Sequence, residues 1–390
     1  HVTGVQTCAL PIFVVMDEIQ KAKNPTTRIH ATLKSLNMDF VLAMTGTPVE
    51  NSISDLWAIT DIAAPGYLAP LKDFMKTFGK AQDAESRHKA LQRLSEELLQ
   101  KSEIDGRHVP PYAFRRLKED VAKNLPAKHQ GPMLRADMPM LQAQRYADVS
   151  SATQAGQIKI LRALHDFRSI SLHPVDPETV GGELLSGDQY IEMSSRLKLA
   201  FEKLDEIAHR KEKVIIFVNN RRMQTVLSRL IQQKFSCPKP EFIRGDTIPG
   251  QRQEIVNRFS SLPGFAALIL SPRAAGVGLN IVAANHVIHL DRWWNPAVED
   301  QCTDRAYRIG ATKDVFVHTV GAVHPVLRES SYDVILDNLM EFLRDVLAAQ
   351  GQGLFAVNEH RRRRGFAGAW QADANVGMFA FAGAVDDATH

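Results

Sequence analysis

Short runs that are apolar at every position constrain this chain most. Ile12 to Met16 (IFVVM), Phe40 to Met44 (FVLAM), Val214 to Val218 (VIIFV) and Ala266 to Leu270 (AALIL) are of this kind. A strand with one wet face alternates apolar and polar residues, whereas a strand covered on both faces does not. Such runs, spaced by stretches of helical period, build a parallel sheet with helices on its faces. Pro25 to Leu36 reads as a helix between the first two runs, giving a βαβ unit, so the class is α/β. Val214–Val218 opens a second open α/β domain. Helices are expected there over Arg222–Lys234 and Gly250–Phe259, with strands at Glu241–Arg244, Ala266–Leu270, Val287–Leu290 and Val315–Thr319.

Between Ile53 and about Asp205 the character changes. Arg87–Lys101, Met140–Ala155 and Gln157–Ser171 read as helices, broken by loops at Pro110-Pro111 and Pro174 to Gly187. A helical insertion with no sheet is expected. The expected boundaries are a leader over 1–12, a first domain over 13–180, a second over 181–350 and a tail over 351–390. The leader, HVTGVQTCALPI, has no period and no secretory pattern. Its GVQTCALPI string resembles translated sequencing-adapter sequence, so it is read as non-native and the chain as an N-terminally truncated fragment. The Gly/Ala-rich tail reads as disordered, or as another frame-shifted end. Its run Arg361 to Arg364 would alternatively be a phosphate-binding patch.

Composition removes several classes. Of 390 residues, 44% are hydrophobic and 23% charged, which excludes a collagen-like or wholly disordered chain. No apolar run reaches the roughly 18 residues of a membrane span. Lys plus Arg is 47 and Asp plus Glu 44, a net charge of +3, so any nucleic-acid surface must come from local clustering. Cys8, Cys237 and Cys302 form no CxxC pair, which argues against a zinc site or disulfide framework and fits the reducing cytoplasm.

Three motifs carry chemistry. Asp17-Glu18 follows a strand, where an Asp can sit by a phosphate-bridging magnesium ion and a Glu can polarise attacking water. The bland alternative is a solvated helix start. Thr45-Gly46-Thr47-Pro48 also follows a strand; it can point hydroxyls and N–H groups into a cleft, or be a turn with a helix cap. The richest stretch is Leu268 to Gly310. A Gly/Ala-rich turn (Arg273 to Gly278, including Gly276) is followed by Asn280, a strand ending in Asp291 and the Trp293-Trp294-Asn295-Pro296 loop. A helix bearing Gln301, Arg305 and Arg308 then follows. Residues three apart share a helical face, so the two arginines are suited to a transferring phosphoryl group. They serve equally well as a solvated face paired with Glu299, Asp300 and Asp304.

The order DEIQ, TGTP, SPRAAGVGLN, QCTDRAYRIG closely resembles the Swi/Snf family of superfamily-two helicase-like DNA translocases, from about Phe13 to about Leu347. AFRRLKEDVAKNLP (Ala113–Pro126), VIIFVN (Val214–Asn219) and RGDTIPGQRQEIVNRF (Arg244–Phe259) add to the match. The resemblance implies two RecA-like lobes, the first incomplete, with helical insertions. It implies ATP and Mg²⁺ as cofactors, Asp17 at the metal and Glu18 as activator of water. Gln301, Arg305 and Arg308 would complete the ATP site with the arginines as fingers, and Gly276 and Gly278 would lie at the nucleotide. Thr45, Gly46 and Thr47 would couple hydrolysis to movement. Arg273, Asn280, Trp293 and Trp294 would lie near DNA, although the tryptophans read equally as packing residues.

The implied activity is ATP-driven translocation on double-stranded DNA through its phosphate backbone, remodelling protein–DNA complexes in the nucleoid. RNA polymerase or a defence-system protein are the partners it suggests, with no membrane. The rivals are a strand-separating helicase, an RNA-dependent ATPase and a non-catalytic DNA-binding remnant. The chain departs from the family at Pro272, Ala275 and Ala311. More consequentially, it contains no G-x-x-x-x-G-K-[ST] loop, so these residues alone are expected to hydrolyse ATP negligibly. Arg115, Arg116 and Lys118 stand open between DNA contacts and solvated residues.

Overall fold

A computed structural model describes residues 13–36, 38, 40–45, 53–79, 94, 98, 102–104, 107–109, 111–117, 122, 124–175, 186–275, 278–348 and 377–384, a few by backbone alone. Gly46, Thr47, Gly276 and Lys118 lie outside this set. The chain divides into two compact units, 1–123 with 343–390, and 124–342.

In the first unit, β1 (Phe13–Met16) runs to α1 (Arg28–Lys34) and then to β2 (Phe40–Thr45). The strands are parallel, with Met16 opposite Ala43. α2 (Ile53–Ala63) buries Leu56, Ile59 and Ile62 completely, in one core with Val41 and Ala43 of β2. α3 (Leu71–Phe74) adds buried Phe74 to that core. β3 (Ser102–Ile104) and β4 (Arg107–Val109) pair antiparallel, and β5 (Ala113–Leu117) follows.

The second unit contains β6 (Lys128–Gln130), β7 (Leu134–Asp137), α4 (Met140–Gln154), α5 (Ile160–Leu172), α6 (Gly187–Glu192) and α7 (Ser195–His209). Then come β8 (Lys213–Phe217), α8 (Arg221–Phe235), β9 (Glu241–Ile243), α9 (Pro249–Ser261), β10 (Ala266–Leu270) and α10 (Pro272–Ala275). β11 (His286–His289), α11 (Pro296–Thr303), β12 (Val315–Val323) and α12 (Tyr332–Ala348) complete the series. The sheet order is β6-β12-β11-β8-β10-β9, parallel throughout. β8 and β10 are buried almost to a residue, as their unbroken apolar runs require. The chain builds β9 and β10 on one side of β8, then crosses to β11 on the other. Such a reversal opens a crevice at the carboxyl ends of the strands, where open α/β sheets hold their ligands.

One expectation about organisation changes. Five short strands, β3 to β7, occupy the stretch read as helical insertion without a sheet. β6 and β7 are too short to show a period and exist because β12 templates them: Val315–Val317 pair with β6 and Val320–Val323 with β7. By packing, the described residues 124–175 group with the second unit. Gln142 of α4 donates to Ile170 and Ser171 carbonyls at 2.8 and 3.1 Å and accepts the Ser195 N–H at 3.1 Å. The Tyr146 hydroxyl accepts the Tyr332 N–H at 2.8 Å.

Within the range read as a disordered tail, Gly377–Ala384 forms β13, antiparallel to both β2 and β5. No helix among the described residues is long and apolar enough to cross a membrane.

Candidate functional site

In the first unit the candidate acids follow the last residue of β1. Glu18 turns the chain with φ +54°, a left-handed conformation that side chains adopt at a cost. Its N–H donates to Asp17 Oδ1 at 2.9 Å, leaving that exposed carboxylate at the strand end. Buried Gln20 then links two motifs. Its Nε2 donates to Glu18 Oε2, and its Oε1 accepts from the Thr45 hydroxyl at 2.6 Å. Because β1 and β2 are parallel and in register, the end of one lies beside the end of the other. Gln20 was not singled out from the sequence; the signal available was the polar Gln in a turn otherwise lined by buried Ile19 and Ala22.

In the second unit, Arg273, Asp291, Trp293 and Trp294 all follow carboxyl ends of strands. Arg273 is in α10, directly after β10, and Asn280 is exposed beyond Gly278, which has φ +44°. The expectation that Arg305 and Arg308 share a helical face is corrected: α11 ends at Thr303. Asp304 caps it, and the following residues form turns in which the Arg305 carbonyl accepts the Ile281 N–H at 2.9 Å. That tertiary bond takes the chain out of the helix. Gln301 remains on α11, Arg305 is buried and Arg308 half-buried. Cys302, buried between them, has its thiol pushed up by burial and then by Glu299, so it acts as a packing group.

Behind the Trp loop lies a buried ionic network. Arg196, 1% exposed, donates from Nε to Asp333 Oδ2 at 2.8 Å, from Nη2 to Asp333 Oδ1 and from Nη1 to Asp291 Oδ1 at 3.1 Å. Asp291 Oδ2 also accepts the Asn219 N–H at 3.1 Å, joining the ends of β8 and β11. Arg292 forks onto Glu299 at 3.1 and 3.2 Å and reaches Asp337 with Nη1. Burial opposes both guanidinium charges, but the carboxylates outweigh it and hold both arginines above their usual values. Trp293 has the Arg168 guanidinium 5.5 Å from its ring centroid, and Trp294 meets Tyr332 edge-on at 5.7 Å while staying 44% exposed. The packing role weighed for the tryptophans is therefore present in both, with one face of Trp294 in water.

A cavity of about 230 Å³ in the same unit is lined by Arg145, Ser169, His173, Asn220 and Arg222, among others. It lies at the start of α8, whose first turn is capped by Asn220 accepting the Met223 N–H at 3.0 Å. Sequence reading passed over Arg145 and Arg222 because each looks like an ordinary polar residue of its helix. No group of three or more His, Cys, Asp or Glu among the described residues is arranged to hold a metal ion.

Both units are built on α/β sheets, with acids following β1 in one and Trp293 and Trp294 following β11 in the other. An SNF2-related domain matches residues 5–183 and a helicase conserved C-terminal domain residues 199–310. The chain belongs to the Swi/Snf family of superfamily-two helicase-like proteins. It is 36% identical over 357 residues to the Zorya protein ZorD of Escherichia coli O139:H28, covering 86% of this chain and 31% of that protein. It is 33% identical over 342 residues to YwqA of Bacillus subtilis, covering 83% and 34%. The solved SWI2/SNF2 ATPase core domain of Sulfolobus solfataricus is 26% identical, with 91% of this chain and 70% of that chain covered and a TM-score of 0.45. The chain spans about a third of the length of the curated relatives it matches.

Proposed function

We propose that these residues are part of the motor of an ATP-driven translocase on double-stranded DNA, which remodels protein–DNA complexes. The observation that carries this is the line Glu18–Gln20–Thr45. It gives the water-activating candidate a direct hydrogen-bonded route to the next strand end, where a change at the phosphate can be passed into the fold. A scaffold needs no such link.

Glu18 orients and deprotonates the attacking water, and Gln20 holds its carboxylate in place through Oε2. Magnesium, when bound with ATP, neutralises charge on the β- and γ-phosphates. Asp17 fits it: an exposed carboxylate with one oxygen engaged by the Glu18 N–H suits a hard ion that keeps waters and phosphate oxygens as its other ligands. Gly278 lets the backbone approach the nucleotide closely, as would Gly276. Arg305 and Arg308 serve as fingers on the γ-phosphate, with Gln301 positioned beside them. Arg273, Asn280 and Trp294 meet the DNA strand, and Thr45, Gly46 and Thr47 carry the coupling. Backbone phosphates suffice as the track, so no base reading is required.

The 390 residues hold no phosphate loop, so we propose negligible ATP turnover by this stretch alone; measurable turnover by it would overturn that. The test of the motor is made on the product of the gene extended upstream. DNA-stimulated hydrolysis with displacement of a triplex-forming strand, and no separation of the duplex, is expected. Glu18→Gln should lower kcat by a factor of about 10²–10⁴. Duplex unwinding would favour the helicase reading, and stimulation by RNA the RNA-dependent one. DNA binding without hydrolysis would leave the remnant.

A further inference from the structure

α12 begins with two carboxylates one turn apart, Asp333 and Asp337, both buried. Each receives an arginine from a different part of the candidate site. Asp333 takes Arg196, which also holds Asp291. Asp337 takes Arg292, and its other oxygen accepts Arg135 Nη2 at 3.1 Å. Arg292 passes the contact on: its second fork holds Glu299 of α11, and Glu299 Oε1 accepts the Trp293 N–H at 3.1 Å.

We propose that Arg292 is a positioning residue through which α12 sets the Trp293–Pro296 loop and the Arg305-bearing turn beyond α11. Buried ion pairs are poor stabilisers compared with apolar packing, because desolvation offsets most of their attraction. What they supply is one geometry, since a displaced partner leaves a charge buried and unpaired. A guanidinium forked between two helices can be satisfied in few arrangements, and a lysine cannot reproduce it. Displacement of α12 would release Arg292, then Glu299, and with it the Trp293 amide. The functional meaning of this control, though not the geometry, rests on the motor reading above.

The test is peptide-resolved amide hydrogen exchange on the 390-residue chain, comparing the native sequence with Asp337→Asn. Exchange over residues 293–305 should rise about tenfold while β8 and β10 keep their protection. Unchanged exchange in 293–305, or equal loss in β8 and β10, would overturn the proposal. Should Asp337→Asn fail to fold, Arg292→Lys keeps the charge, loses the fork and is read by the same pattern. In the upstream-extended product, Arg292→Lys should lower kcat with KM unchanged. If the native extended product shows no DNA-stimulated hydrolysis, the motor reading fails, while the exchange pattern still decides the positioning role.

Discussion

At the scale of single residues, a histidine pair gives the second unit a dependence on pH. His286 on β11 and His318 on β12 meet Nδ1 to Nε2 at 3.1 Å, and His286 Nε2 lies 2.7 Å from Glu212. A carboxylate only accepts, so His286 carries its proton on Nε2 and, when neutral, accepts at Nδ1 from His318. Burial first, then His286, pushes His318 down to about 4; burial also lowers His286, with Glu212 opposing. Lys203, Glu206 and Arg210 also act on the pair, and Lys313 lies 3.8 Å from Glu212. Both folded values lie below that of a free histidine, about 6.5. The unfolded chain therefore binds more protons in mild acid, and stability falls as pH drops from about 6.5 towards 4, with no contribution from the pair above 7. Urea midpoints at pH 7, 6 and 5 should decline, and His318→Gln should flatten the decline. A slope unchanged by the substitution would show that the pair does not govern it.

At the scale of elements, the caps and strand ends decide what can be read from sequence. β10 is legible residue for residue, because an apolar run between turn signals has only one use in an α/β sheet. α8 is nearly so, and its cap residue Asn220 is visible in the sequence. Asn220→Ala should cost about 1 kcal/mol, measured as a shift in the urea midpoint without a change in slope. The turn carrying Arg305 and Arg308 was not legible: periodicity continues past Thr303, and the bond from the Ile281 N–H to the Arg305 carbonyl comes from a distant part of the sequence. Arg196 and Arg292 were hidden for a similar reason. An arginine on an amphipathic helix or after a strand looks solvent-facing until its buried carboxylates, distant in sequence, are in view. Asp17, Glu18 and Thr45 were legible as separate motifs, but Gln20 joins them only once β1 and β2 are paired.

At the scale of the whole molecule, packing divides the chain at Asn124, whereas the sequence reading divides it near residue 180. The family models themselves meet between 183 and 199, so sequence matching and packing divide the chain differently. Packing predicts that residues 124–342 form a folded unit alone, with a single cooperative thermal transition. A chain of 181–342 loses β6, β7 and the Tyr146 hydroxyl that accepts the Tyr332 amide, leaving the β12 edge and a buried N–H unpaired. It should aggregate or melt broadly. Equal cooperativity in the two would place the structural boundary near 180 after all.

The pairing of β6 and β7 with β12 also has a temporal side. The Ala127 N–H donates to Asp314 Oδ1 at 3.0 Å across 187 residues of chain. A ribosome adding 5–20 residues per second needs roughly ten to forty seconds to make that interval. Throughout it, β6 and β7 have been synthesised without the strand that gives them their conformation. Closing so long a loop late makes assembly of this sheet slow and leaves its early strands open to wrong partners. Vectorial synthesis therefore works against this architecture, and the nascent chain should be a strong client for chaperones that shield unpaired strands until Val315–Val323 arrives.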